Sequence, residues 1–126
     1  MNIFTKILMF PPTMISYLRG GRLFNERNYI GAIQKFEKCL KHPEFQNEQL
    51  FSFYGQALYA AGRHSEGHQF LLKACDAYDE NEWVFEDDFT YNLAKDTLDA
   101  LKHAQEYLGI ETGNGYLNKK LQLKEK

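Results

Sequence analysis

The sequence predicts an all-α chain: a short solenoid of two helical hairpins closed by a long C-terminal helix. Three observations lead there. Apolar residues recur at spacings of three and four along nearly the whole chain, and alternating strand patterns are absent. The breaks between the first four helical stretches are short, so sequential helices must pack antiparallel as hairpins. The first hairpin can also be laid over the second with a shift of 35 residues, a period in the range of helix-turn-helix repeats.

Each element has a local reason. Pro12 suits the first position of a helix over 12–26, with Ile15, Leu18, Leu23 and Phe24 as its apolar positions. Asn28 caps a second helix carrying Ile30, Ile33, Phe36 and Leu40, which stops before Pro43 because proline disfavours helical geometry in the residue ahead of it. A third helix over 47–61 turns Leu50, Phe51, Tyr54, Ala57, Leu58 and Ala61 inward, and Gly62 stands at its C-terminal cap. The fourth spans 64–78. Asn81 is the expected cap of a fifth, over 82–108, striped by Phe85, Phe89, Leu93, Ala100, Leu101, Ala104 and Leu108 and closed by Gly109. Residues 110–126 read as a loop, a weak last helix with Tyr116, Leu117 and Leu121, and a basic tail.

Under the 35-residue shift Gly20 falls on Gly55, Leu23 on Leu58, Phe24 on Tyr59, Phe36 on Leu71, Lys38 on Lys73 and Cys39 on Ala74. Glycine inside a helix costs about 1 kcal/mol relative to alanine, so Gly20 and Gly55 need a compensating close approach of backbones. These residues resemble the tetratricopeptide repeat family. In the second copy Gly55 stands where the family's first helix needs a small residue, Gly62 at its turn glycine, and Gly67, Leu71 and Ala74 along its second helix, with Gly67 in place of the usual alanine. In the first copy Gly20, Leu23, Tyr29, Ala32, Phe36 and Cys39 match in order, and Pro43 lies close to the family's terminal proline. Arg27 replaces the turn glycine there, and Ser16 holds the tryptophan-like position. The resemblance implies one domain over 1–126, with repeats over 12–43 and 47–79, a capping helix over 82–109 and a loop and tail over 110–126. About three repeats are normally needed to bury a continuous core, so either the long fifth helix caps the stack or a partner completes it.

Composition narrows the function. The 126 residues suffice for one domain with a real core. With 15 Lys+Arg against 17 Asp+Glu, net charge −2, no overall cationic field exists to hold nucleic acid. No stretch approaches the ~18 apolar residues of a membrane-spanning helix. Two cysteines in an apolar-rich chain of this size point to a reducing, cytoplasmic compartment, with Cys39 and Cys75 as core residues. Lys6 followed by Ile7-Leu8-Met9-Phe10 does not make a secretory signal, because Pro11-Pro12 cuts the apolar run and no small-residue cleavage site follows.

Two candidate surfaces emerge. The resemblance places Tyr17, Phe24 and Asn25 from the first copy, with Ser52, Gln56 and Tyr59 from the second, along a groove of the kind that captures peptides. Packing of Tyr17 and Phe24 in the core is the competing reading. The family's chaperone-tail binders hold a carboxylate with lysines in this groove, and no lysine stands at the matching places here. The second surface is a run of seven carboxylates, Asp76, Asp79, Glu80, Glu82, Glu86, Asp87 and Asp88, beside Trp83 and with no Lys or Arg from 74 to 94. Such a run suits a basic partner, the field steering encounter and the aromatic anchoring it. It equally suits a solvated loop leading into a helix N-terminus. His64 and His68, four apart, lack a third ligand for zinc, and nothing resembles a phosphate loop or a nucleophile elbow. The expectation is therefore a non-enzymatic adaptor without cofactor or metal that binds a protein or peptide. An immunity-type inhibitor of a basic toxin or nuclease is one alternative. A self-associating homo-oligomeric assembly subunit, with Phe85, Phe89 and Leu93 as its seam, is the other.

Overall fold

The computed structural model describes residues 11–79 and 88–110. Within them the chain is helical, with five α-helices, one 3-10 turn and no strand. Its contacts divide it into two compact units, Met1–Gln46 and Asn47–Lys126.

The first unit is a helical hairpin of α1, Pro11–Asn25, and α2, Tyr29–Leu40, followed by a 3-10 turn at Pro43–Phe45. Asn28 caps α2 as its sequence predicts, its side-chain oxygen accepting from the Gly31 amide at 3.0 Å. Ala32, Ile33, Phe36 and Cys39 form the buried stripe of α2. The two helices approach closely at Gly20, where a Cβ atom would stand 2.6 Å from the Phe36 ring. The missing side chain is what lets Phe36 lie against the α1 backbone.

The second unit holds α3, Glu48–Ala60, α4, His64–Asp79, and α5, Asp88–Leu108. Asn47 is the cap of α3 rather than its first residue, accepting from the Leu50 amide at 2.9 Å. The expected start of the fifth helix at 82, with Asn81 and Phe85, lies outside the described residues, as do 1–10 and 111–126. α5 packs chiefly on α4 and to a lesser degree on α3. The core is Leu71, Cys75 and Tyr78 from α4 against Leu93, Ala94, Leu98, Leu101 and Ala104 from α5. Leu93, expected on an assembly seam, belongs to this core.

The 35-residue repeat reappears as contacts. Gly55 meets Leu71 in the second unit where Gly20 meets Phe36 in the first. Phe24 stacks edge-on against Tyr29 with centroids 5.7 Å apart, and Tyr59 against His64 at 4.8 Å. The turns match atom for atom. Asn28 N donates to Leu23 O and Arg27 N to Phe24 O, while Arg63 N donates to Leu58 O and Gly62 N to Tyr59 O. This is the Schellman closure, which requires a left-handed residue after the helix. Gly62 supplies it at φ +92°, and Arg27 supplies it at φ +63° despite its side chain.

Candidate functional site

The six expected groove residues fall three to each unit. On α1, Tyr17 and Phe24 are half-buried and turned toward α2, Tyr17 with its ring centroid 6.3 Å from that of Phe36, Phe24 against Tyr29 as above. Asn25 is exposed at the end of α1. On α3, Ser52 is completely buried and hydrogen-bonded to Thr97 of α5. Thr97 also donates to the Leu93 carbonyl, and Gln56 Nε2 donates to Ser52 Oγ at 2.9 Å. Tyr59 Oη stands 2.7 Å from His103 Nδ1. Thus Ser52, Gln56 and Tyr59 spend their polar atoms on one another and on α5, and Ser52 has no surface to offer a ligand.

The reason is one of depth. A hydroxyl or amide at a helix-facing position reads the same whether water or another helix covers it, and a buried polar group must find a partner. α5 brings that partner in Thr97. Around Tyr59 it also brings an aromatic and imidazole cluster absent from the sequence expectation: Tyr107 stacks on His64 at 4.1 Å and stands edge-on to Tyr59 at 6.2 Å, and His103 is edge-on to Tyr59 at 5.5 Å. The Tyr59–His64 half of it was readable as the image of Phe24–Tyr29. The spacing of four between His103 and Tyr107 puts both on one helical face, yet no spacing says which helix that face meets.

Of the acidic run, Asp76 is exposed on α4 and Asp88 is exposed at the first turn of α5, where the helix dipole favours a carboxylate. Asp79 ends α4. Glu80, Glu82, Trp83, Glu86 and Asp87 lie outside the described residues. The acidity extends along α5 through the exposed Asp96 and Asp99. Partial burial raises the Asp96 carboxyl above its ordinary range, the charge of Asp99 adds to that, and Lys95 opposes it.

Cys39 is fully buried, its thiol directed at the Thr13 and Lys35 carbonyls at 3.6 and 3.5 Å, and burial pushes its pKa up to about 11. A thiol so protected is a packing residue rather than a nucleophile. His68 reaches Gln105 at 3.5 Å, and among the described residues no three His, Cys, Asp or Glu side chains converge as a metal would require.

Division of the charge between the two units is the electrostatic finding. The first carries seven Lys+Arg and three Asp+Glu, net +4; the second carries eight and fourteen, net −6. Compared with protein-family models, with curated proteins and with solved structures, the chain finds no match.

Proposed function

We propose that the chain is a non-enzymatic protein-interaction module of tetratricopeptide type that captures a basic polypeptide. The supporting observation is the repeat itself: two hairpins 35 residues apart reproduce the same glycine-to-apolar approach, the same aromatic pair and the same turn hydrogen bonds. In tetratricopeptide solenoids, hairpins of this repeated kind present side chains in rows suited to an extended polypeptide. With Ser52 buried and Tyr59 bonded to His103, the charge on offer is that of the acidic run over 76–88. The net −6 of the second unit would steer a basic partner to it. An inhibitor that occludes a basic toxin or nuclease is the most specific form of this reading, favoured by that same charge.

Affinity capture from lysate of the source cells tests it, with the wild-type chain and a D76K/D87K/D88K variant as parallel baits at low and high salt. The expected result is a basic polypeptide held by the wild type at low salt and lost both at high salt and by the variant. Identical captures by the two baits, or none above the bare matrix, would reject the reading.

A further inference from the structure

Each unit turns an apolar-and-charged helix face to solvent. On α1, Ile15 and Leu18 are 49% and 56% exposed, and Arg19 and Arg22 are exposed beside them. On α5, Phe89 is 57% exposed, and Asn92, Asp96 and Asp99 are exposed along the same side. Ile15, Leu18 and Arg22 follow the spacing i, i+3, i+7, and so do Phe89, Asn92 and Asp96. At about 1.5 Å of rise per residue, each face therefore sets its charge about 10 Å beyond its apolar residue. Laid parallel, the two faces bring Ile15 to Phe89 and Arg22 to Asp96. The charges are opposite locally and opposite for the units as wholes, +4 against −6.

From this complementarity we infer that the outer face of α1 docks on the outer face of α5 of a second copy of the chain, head to tail. The occupant is a second copy because this chain itself carries both matching faces, apolar against apolar and arginine against aspartate at one register. Arg22 is paired with Glu26 at 3.1 Å, but that pair is highly exposed and an ion pair of this kind contributes little, so exchanging Glu26 for Asp96 costs little. The α5 face gains more. Asp99 stands one helical turn from Asp96 and its charge opposes ionisation of the Asp96 carboxyl while that of Lys95 favours it, and an arriving guanidinium would act in the same sense as Lys95. Because the two faces differ, the contact is heterologous: each pair of copies keeps one unused face of either kind and can add further copies. The inference is independent of partner capture through the acidic run, and either can fail alone.

Sedimentation velocity on the full chain tests it, over about 1 to 300 μM, where an interface of two helix faces would associate. Wild-type mass should rise with concentration at low salt and return to the monomer at high salt. Two single-face variants separate the halves: R19E/R22E, with L18D as a second α1 variant, and D96K/D99K, with F89D as a second α5 variant. All are exposed positions, and circular dichroism checks that helicity is retained. Each variant alone should lose association, while R19E/R22E mixed with D96K/D99K should regain it, because intact α1 meets intact α5 at one junction and glutamates meet lysines at the other. A wild type that stays monomeric throughout, an α1 or α5 variant that associates as the wild type does, or a mixture that yields no dimer would each overturn the inference.

Discussion

Equivalent residues in the two hairpins solve one problem by different means. After α1 the left-handed turn position is Arg27, after α3 it is Gly62, and both turns close with the same two hydrogen bonds. The turn therefore outweighs the roughly 1 kcal/mol that a side chain costs at positive φ. Gly67 shows the opposite balance. A Cβ there would stand 2.8 Å from Tyr59 N and 2.9 Å from Gly55 O, both rigid backbone atoms of α3, whereas one at Gly21 meets nothing within 4 Å. Alanine gains about 1 kcal/mol in helix propensity at either place, but overpacking against backbone costs about 1–3 kcal/mol. Urea unfolding should accordingly show Gly67→Ala destabilised by about 1–2 kcal/mol and Gly21→Ala stabilised by about 0.5–1 kcal/mol. Equal effects at the two sites would contradict the packing of α3 on α4. Cys39 gives a pH prediction. Its folded pKa, raised by burial from 9.0 to about 11, means its contribution is fully present below pH 9 and is lost as pH rises toward 11. A two-unit shift corresponds to about 2–3 kcal/mol. Chemical denaturation from pH 8 to about 11 should show a steeper loss of stability in the wild type than in Cys39→Ala; equal slopes would place the thiol in contact with water.

Among the elements, α5 decides how the second unit is built. Its apolar stripe covers α4, and its Thr97 enters the α3 side to meet Ser52. A buried hydroxyl pair is worth little net, but removing one member leaves the other short of one of its two partners, at about 1 kcal/mol. A double-mutant cycle of Ser52→Ala and Thr97→Val should therefore give two costly single variants and a double variant recovering about 1 kcal/mol of their sum. Strict additivity would mean that the two hydroxyls do not hold the helices together. The expectation of a C-terminal helix packed on the second hairpin was legible from the apolar stripe of 93–108. Its expected start, with Asn81 as the cap, lies outside the described residues, which resume at Asp88.

Across the whole molecule, the net charge of −2 averages over two units of opposite sign. Composition supplied the average, and only the division into units showed that the first carries a basic excess and the second an acidic one. This separation underlies both proposals, because a basic polypeptide is drawn to the second unit and the first unit of another copy is itself basic. Salt is the shared diagnostic, since screening weakens either attraction at distances beyond about 10 Å. The charge-reversed α1 and α5 faces then tell them apart.

The sequence by itself determined the helices, their turns and the 35-residue correspondence between the hairpins. These depend on apolar spacing, asparagine caps and glycine placement, all local quantities that a linear reading contains. Only the tertiary structure decided what Ser52, Gln56 and Tyr59 face. The same pattern of polar atoms serves an open groove or a buried contact, and the choice rests on whether a helix 45 residues later in the chain, at Thr97, comes to lie against them. The helix does, and hydroxyls that water would otherwise satisfy are satisfied by protein.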